Sequence, residues 1–198
     1  MFGGAPGRDP VESFGRWYAA AGKRRDITLP EAVCLSTSDA DGWPDGRMVL
    51  LKGFDEEGFT FYTNLDSPKA KALAANPRAA LTFHWPPLGR QVRLRGRVAA
   101  VATREADEYF ASRPRLSQLG AWASRQSAPL ESRTALMAEV AKLALKWPRK
   151  VPRPANWSGY RLVPDRVEFW QHRAYRLHDR FLYTRQAGGA WKVQRLYP

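Results

Sequence analysis

The chain has 198 residues, enough for one domain with a full hydrophobic core. Apolar residues make up 44% and charged residues 26%, and these ordinary globular values exclude a largely disordered chain. The net charge of +13 favours anionic partners: nucleic acid, membrane surfaces or phosphorylated small molecules. Because the basic residues are spread over the whole length, the charge does not form a basic tail.

Nothing in the sequence predicts a membrane span or a secretion signal. There is no run of 18 apolar residues, and Met1 to Pro10 contains no apolar stretch. The single cysteine, Cys34, excludes an internal disulfide. We therefore expect a cytoplasmic protein with a mobile segment at residues 1–8 and a single domain at residues 9–198.

The first half of the chain begins with a helix and continues with short strands. Asp9 and Pro10 are typical of a helix start, and Gly22 is typical of a helix end. Asp- and Gly-containing turns then separate three predicted strands, which indicates antiparallel hairpins. A second helix is predicted to begin at Ser67. The predicted strands are residues 32–37, 46–53 and 59–63, and the second helix is residues 67–75.

The second half alternates strands and helices and then returns to strands. The predicted strands are residues 79–84, 91–101, 157–163, 166–171, 180–184 and 191–196, and the predicted helices are residues 103–112 and 130–147. Because strands lie on both sides of the helices, they must share one sheet system. This pattern predicts a mainly β protein, a β-barrel with helical additions.

Four groups of polar side chains are candidates for a binding site. A lysine near a helix N-terminus is a natural phosphate site, and hydroxyl and guanidinium groups at helical spacing suit a second anion. If the last group is extended, Arg176, His178 and Arg180 share one face. The groups are Arg47 with Lys52, Tyr62-Thr63-Asn64 with Ser67 and Lys69, Tyr109 with Arg113 and Ser117, and Arg176 to Arg180.

Each group also has an ordinary structural explanation. Charges at strand ends, a helix cap, a surface helix pair and a structural histidine would account for them one by one. The common catalytic motifs are absent, and His84, His172 and His178 have no spacing typical of a metal site.

Taken together, these segments closely resemble the pyridoxamine 5'-phosphate oxidase family. The matching strings follow the family's order from about residue 9 to the C-terminus, and the longest are the most specific. They include Arg47-Met-Val-Leu-Leu-Lys52, Phe61-Tyr-Thr-Asn-Leu65, Tyr109-Phe-Ala-Ser-Arg-Pro-Arg115, Ser117-Gln-Leu-Gly-Ala-Trp122, Val167-Glu-Phe-Trp-Gln171 and Arg176-Leu-His-Asp-Arg-Phe181.

The resemblance implies an antiparallel, Greek-key split β-barrel that binds FMN at the interface of a homodimer. The implied flavin contacts are Arg47, Met48, Val49, Leu50, Leu51, Lys52, Tyr62, Thr63, Lys69, Gln91, Gln126, Ser127, Trp170 and Arg180. The implied substrate contacts are Lys52, Tyr109, Arg113, Ser117, Arg176, Leu177 and His178, with Arg176 and His178 also in the catalytic role.

The implied reaction is the oxidation of pyridoxamine or pyridoxine 5'-phosphate to pyridoxal 5'-phosphate, with dioxygen as acceptor and hydrogen peroxide as by-product. The flavin, not a side chain, takes the hydride, which agrees with the lack of a conspicuous acid/base pair. Two alternatives stay open: a related flavin oxidase acting on another ring compound, such as a phenazine precursor, and a nucleic-acid-binding barrel. The strand with Arg93, Arg95 and Arg97 motivates the second.

Three features depart from the family pattern. Pro68 stands where the family commonly has arginine, which removes a guanidinium and a backbone N–H from the flavin-phosphate loop, so we expect weaker FMN binding. His172 and Arg173 replace the glycine usual after Trp-Gln, so the loop before Arg176 is expected to differ. The basic segment that often precedes the first helix is missing.

Overall fold

The computed structural model describes residues 7–198, and residues 1–6 of the segment predicted to be mobile lie outside the described residues. Eight strands and five helices follow in this order: α1 (Pro10–Gly22), β1 (Ala32–Ser38), β2 (Pro44–Asp55), β3 (Gly58–Asn64), α2 (Pro68–Ala75), β4 (Arg78–Trp85), β5 (Arg90–Ala100), α3 (Thr103–Ser112), α4 (Arg115–Ala123), α5 (Arg133–Lys146), β6 (Trp157–Gln171), β7 (Asp179–Arg185) and β8 (Trp191–Leu196). None of the helices in residues 7–198 is long and apolar enough to cross a membrane.

The strands form one antiparallel sheet that closes on itself. Their order is β3-β2-β1-β4-β5-β6-β7-β8, and a further pairing of β3 with β6 closes the first six strands into a barrel. Strand β4 returns beside β1 after the β1-β2-β3 meander, which is the Greek-key arrangement. The predicted mainly β split barrel of antiparallel, Greek-key type is confirmed.

Strand β6 is the longest strand of the sheet and connects the six-stranded barrel to the β7–β8 hairpin. The prediction of two strands, 157–163 and 166–171, is wrong because Pro164 does not interrupt the pairing. A register shift in β5 between Arg95 and Gly96 accommodates the proline, and a Cβ at Gly96 would lie 1.9 Å from the Val163 carbonyl oxygen. A bulge with glycine opposite a proline thus keeps the strand continuous.

Helix α1 packs its aromatic face into the barrel core. Asp9 caps the helix, because its Oδ1 accepts a hydrogen bond of 2.7 Å from the Val11 N–H. Phe14 is fully buried, and its ring centroid lies 4.9 Å from those of Phe54, Phe59 and Phe83. The predicted start and end of this helix are confirmed.

Helices α3, α4 and α5 form a smaller hydrophobic cluster beside the barrel. Helix α4 was not predicted, because Pro114 marks a break at the end of α3; the proline is in fact the N-cap of the next helix. Helix α5 is shorter than predicted and begins after Ser132, whose Oγ accepts a hydrogen bond from the Ala135 N–H. The buried members of this cluster are Phe110, Leu119, Val140, Val151 and Trp157.

Candidate active site

A cleft of about 770 Å³ lies between the barrel and the smaller helical cluster. Strands β2 and β3, the start of α2 and the α3–α4 junction provide its walls. Its lining includes residues of the two groups that the sequence suggests as anion sites, the group with Lys69 and the group with Arg113. The lining consists of Arg47, Met48, Val49, Leu50, Lys52, Tyr62, Thr63, Asn64, Lys69, Tyr109, Arg113, Pro114, Ser117, Gly120, Ala121, Ser124, Gln126 and Trp157.

Most of the predicted flavin contacts and four of the seven predicted substrate contacts therefore share one cleft. The predicted residues found there are Arg47, Met48, Val49, Leu50, Lys52, Tyr62, Thr63, Lys69, Gln126, Tyr109, Arg113 and Ser117. The side chain of Leu51 is instead buried in the barrel core. Any contact from Leu51 must therefore come from its backbone.

Two cations lie at one end of the cleft. Arg47 is held by its Nη1, which donates to the Leu35 carbonyl (3.1 Å) and Thr37 Oγ1 (2.8 Å), and by an ion pair with Asp45. Lys69 is buried, and burial together with the positive charge of Arg47 lowers the pKa of its ammonium group. An anion bound here in addition to Asp45 would offset the repulsion between Arg47 and Lys69.

The Nζ atom of Lys69 is oriented by two polar side chains. It lies 3.3 Å from both Thr63 Oγ1 and Gln126 Oε1. The side chain of Ser67 does not cap α2, although the residue occupies the predicted N-cap position; its hydroxyl donates to the Asn64 carbonyl at 2.7 Å. The first turn of α2 thus has no side-chain cap, and Pro68 fills its first position.

Three aromatic rings form the floor of the cleft. The ring of Tyr62 is stacked on that of Tyr109 (centroids 4.0 Å apart) and on that of Trp157 (5.3 Å). Gly159 permits this packing, because a Cβ there would lie 2.7 Å from the Tyr62 ring.

The hydroxyl of Tyr62 keeps its proton at neutral pH and acts as a hydrogen-bond donor. It donates to Glu105 Oε1 at 3.4 Å. Burial, and then the negative charge of Glu105, raises the pKa of Tyr62 to about 12. The stack therefore carries a neutral phenol, not a phenolate, and adds no negative charge to a site lined with cations.

Arg113 is a further cation of the cleft lining. Its Nη1 atom is buried and has no hydrogen-bond partner among residues 7–198. Burial lowers the pKa of the guanidinium group, and the neighbouring Tyr109 opposes that shift. Buried polar atoms are nearly always paired, so this guanidinium nitrogen is a free donor for an anion that enters the cleft.

A second group of predicted residues lies outside this cleft. Gln91, Trp170 and Arg180 form a row across β5, β6 and β7, since Gln91 pairs with Trp170 and Trp170 pairs with Arg180. Arg180 donates to the carboxylate of Glu168 at 3.0 and 3.2 Å. Ser127, with a positive φ of 70°, lies on the loop between α4 and α5.

The segment before β7 is a turn and not an extended strand. The expectation that Arg176, His178 and Arg180 share one strand face is wrong, because β7 begins only at Asp179 and the residues 174–176 form a 3-10 turn. Tyr175 and Arg176 have φ values of 57° and 61°, which non-glycine residues rarely adopt. Such conformations concentrate at functional sites. Arg176 and Leu177 are exposed at this turn.

The ring of His178 is held by a backbone group of the turn. Its Nδ1 accepts a hydrogen bond of 3.1 Å from the Arg173 N–H, and its ring packs 4.6 Å from that of Trp170. Because Nδ1 is an acceptor, the neutral ring carries its proton on Nε2. His178 therefore presents an N–H donor.

Several lining residues were not predicted as site residues. Trp157 follows a proline-rich loop and reads as an ordinary strand residue, so no local signal identifies it. The small residues of α4 were missed with the helix itself. Asn64 belongs to the candidate group of Tyr62 and Thr63 in the sequence, although the resemblance implies no contact for it. The other missed residues are Pro114, Gly120, Ala121 and Ser124.

Comparison with known proteins agrees with this geometry. A family model described as pyridoxamine 5'-phosphate oxidase matches residues 23–147, and one described as the pyridoxine 5'-phosphate oxidase C-terminal dimerisation region matches residues 157–198. The chain is 54% identical over 191 residues to the pyridoxine/pyridoxamine 5'-phosphate oxidase of Caulobacter vibrioides, covering 96% of this chain and 85% of that protein. It is 53% identical over 192 residues to that of Bradyrhizobium sp., covering 96% and 88%.

Among solved structures, the fold is similar to PhzG from Burkholderia lata in complex with tetrahydrophenazine-1-carboxylic acid. The TM-score is 0.89 at 32% identity, over 98% of this chain and 94% of that one. An FMN-binding protein from Nostoc punctiforme shares the fold, with a TM-score of 0.79 at 18% identity over 96% and 98% of the two chains. With two family models matched along most of its length, the chain belongs to the pyridoxamine 5'-phosphate oxidase family and is an oxidoreductase.

Proposed function

We propose that the protein oxidises pyridoxamine or pyridoxine 5'-phosphate to pyridoxal 5'-phosphate, with FMN as cofactor and dioxygen as electron acceptor. The observation that carries the proposal is the buried Nη1 of Arg113, which lacks a partner within the described chain and lines the cleft. A phosphate oxygen satisfies such an atom with a charge-assisted hydrogen bond. The 54% identity to a pyridoxine/pyridoxamine 5'-phosphate oxidase supports the same substrate class.

The substrate phosphate is assigned to Lys52, Tyr109, Arg113 and Ser117. Two cations and two hydroxyls line the same cleft, a donor set that suits a phosphate dianion. The phosphate is remote from the reacting C4' carbon. Its binding therefore supplies orientation without taking part in the bond changes.

A second set of residues in the cleft lining fits FMN. The positive charge of Arg47 disfavours the charged form of Lys69 and lowers its pKa, and an anion bound beside Lys69, such as the phosphate of the cofactor, would offset this effect. The apolar side chains of Met48 and Leu50 are 62% and 38% exposed and can cover an aromatic ring system. When bound, FMN would accept the hydride from the substrate, and dioxygen would reoxidise the reduced flavin to give hydrogen peroxide.

We propose that each active site is completed by a second copy of the chain. Residues 157–198 match a dimerisation region, and they contain Trp170, Arg176, His178 and Arg180, which lie outside the cleft of their own chain. In a symmetric dimer, this group of one protomer faces the cleft of its partner. There His178 donates from Nε2 to the substrate ring, and the guanidinium of Arg176 positions the ring against the flavin.

The alternative of a non-phosphorylated ring substrate has one argument in its favour. PhzG was solved with tetrahydrophenazine-1-carboxylic acid and shares 32% of its sequence with this chain. A ligand of that kind has no phosphate to satisfy Arg113, Lys52, Tyr109 and Ser117 together, so we prefer the vitamin phosphates. A nucleic-acid-binding role for Arg93 and Arg95 is disfavoured, since each forms an ion pair with an acidic residue of β6.

The test is the visible spectrum of the purified protein under anaerobic conditions. A flavin spectrum that bleaches on addition of pyridoxamine 5'-phosphate, and recovers with hydrogen peroxide release on admission of air, is the expected result. The variant Arg113→Ala should require at least tenfold more substrate for half-bleaching, because a hydrogen bond to a charged group contributes about 1.5–3 kcal/mol. Bleaching by a phenazine precursor, with none by either vitamin phosphate, would overturn the proposal.

A further inference from the structure

The guanidinium of Arg113 is held by aromatic rings. Its central carbon lies 4.7 Å from the ring centroid of Trp157 and 5.6 Å from that of Phe110. The cations elsewhere in this region are arranged differently: Arg161 and Arg153 form ion pairs with acidic side chains. Arg113 is thus stabilised in a partly buried position without neutralisation of its charge.

Trp157 is a rigid platform for this cation. It is only 6% exposed, and as the first residue of β6 it pairs with Asn64 of β3. Its carbonyl accepts a hydrogen bond of 2.6 Å from Arg153 Nη1, and its ring makes an edge contact with that of Phe110 at 5.1 Å. The indole position is therefore determined by backbone pairing as well as by packing.

The difference between an aromatic and an acidic partner matters for anion binding. A carboxylate would orient Arg113 but would also compete with a phosphate for the same N–H groups. An indole face attracts the cation, by about 2 kcal/mol when desolvated, and leaves the N–H groups at the edge of the guanidinium free. The unpaired Nη1 is one of these groups.

We propose that Trp157 is a positioning residue for anion recognition in this cleft. Its indole holds the guanidinium of Arg113 in the orientation that meets the phosphate of the substrate. The identity of that substrate rests on the function proposed above. The binding of a phosphate group by Arg113 does not depend on that function. Trp157 acts through Arg113 and affects how well a phosphorylated ligand binds, not the chemical step.

The experiment compares Trp157→Leu and Trp157→Phe in the FMN-loaded protein. For Trp157→Leu, KM for pyridoxamine 5'-phosphate and the inhibition constant of inorganic phosphate should both rise by about tenfold or more, since the lost contact is worth about 2 kcal/mol. The value of kcat should stay within about twofold, because the phosphate is remote from the reacting carbon. Trp157→Phe keeps an aromatic face and should give intermediate values.

The matched control is Trp147→Leu. Trp147 belongs to the same small hydrophobic cluster but packs against Trp122, 4.7 Å away, and not against Arg113. It should lose a comparable amount of stability with KM and phosphate inhibition unchanged. Equal changes in the two leucine variants, or a fall in kcat at constant KM for Trp157→Leu, would overturn the inference.

Calorimetric titration of the FMN-loaded protein with inorganic phosphate separates this inference from the proposed function. If neither vitamin phosphate is oxidised but Trp157→Leu still weakens phosphate binding relative to Trp147→Leu, the proposed function fails and the role of Trp157 stands. If the vitamin phosphates are oxidised and the two leucine variants bind phosphate equally, only the role of Trp157 fails.

Discussion

Individual charges in the cleft differ in whether the chain itself neutralises them. Arg47 has Asp45 as a partner, whereas Lys69 is buried against hydroxyl and amide oxygens and Arg113 against aromatic rings. Burying a cation without an acidic partner is costly. Lys69 and Arg113 are two such cations in one cleft. An anionic ligand that binds there offsets part of the free energy that their burial costs.

Pro68 should weaken the binding of FMN. At the first position of α2 it has no N–H, and the resemblance of the sequence implies an arginine at this position. Pro68→Arg should tighten the dissociation constant of FMN by about tenfold, since a charge-assisted hydrogen bond contributes about 1.5–3 kcal/mol. Quenching of flavin fluorescence on titration of the apoprotein measures this constant.

Pro68→Ala is the control for that substitution, because it restores the N–H without the charge. It should give a smaller gain than Pro68→Arg. If the arginine variant binds FMN no more tightly than the wild-type protein, the departure at residue 68 has no consequence for the cofactor, and proline simply suits the first turn of the helix.

Among the elements, β6 connects the barrel to the C-terminal hairpin. Its first part pairs with β3 and β5, and its second part pairs with β5 and β7. Glu168 lies in the second part, nearly buried, and accepts hydrogen bonds from Arg93 of β5 (2.7 Å) and Arg180 of β7 (3.0 and 3.2 Å). One carboxylate therefore ties three neighbouring strands together.

Loss of this carboxylate should destabilise the protein in a pH-dependent way. Burial raises the pKa of Glu168, but the hydrogen bonds and charges of Arg180 and Arg93 outweigh it and hold the pKa below its usual range. The stabilisation is therefore present above the ordinary carboxyl pKa of about 4.3 and disappears as the pH falls through the lower folded-state value. Glu168→Gln should lower the free energy of unfolding by about 2 kcal/mol at pH 7.

Urea unfolding from pH 7 to pH 3, at fixed protein and FMN concentrations, measures the difference between Glu168→Gln and wild type. The difference should shrink toward the acid end. Glu139→Gln removes a carboxylate from the exposed pair with Lys142 and should change the stability by less than about 0.5 kcal/mol. A constant difference at every pH would contradict the assignment of the effect to the ionised Glu168.

At the scale of the whole molecule, the two groups of candidate site residues are separated within one chain. The cleft holds the anion-binding groups, while the turn with Arg176 and the ring of His178 lie outside its lining. A symmetric dimer resolves this separation if each cleft receives the turn of its partner. That residues 9–198 act as a single domain stays a prediction, supported by the pairing of β3 with β6 across the intervening helices.

Mixed dimers test the shared site. Arg113→Ala weakens substrate binding in the cleft and Arg176→Ala removes the guanidinium of the turn, so at a substrate concentration well below the raised KM each variant alone should retain about a tenth of wild-type activity or less. In a dimer containing one chain of each kind, one site receives both defects and the other receives none. Random mixing should therefore restore about a quarter of wild-type activity, because half of the dimers are mixed and each has one intact site. Recovery should be absent if all site residues act within one chain.

Much of the fold follows from local sequence signals. Asp9 with Pro10 at the start of α1, and the Asp- and Gly-containing turns between β1, β2 and β3, identify elements because their causes lie within a few residues. Such signals were misleading at Pro114 and Pro164. Proline marks a local constraint, but whether a helix cap or a bulge absorbs it depends on neighbours distant in the chain.

Some features of the candidate site could likewise be predicted from local sequence signals, and others could not. The candidate residues for the chemistry could be named from the sequence, because they stand in long, specific strings around Arg47, Tyr109 and Arg176. The contact of Trp157 with Arg113, and the position of the Arg176 turn outside the cleft of its own chain, became apparent from the folded structure. The physical reason is that packing and strand pairing join residues far apart in sequence, whose proximity no local pattern encodes.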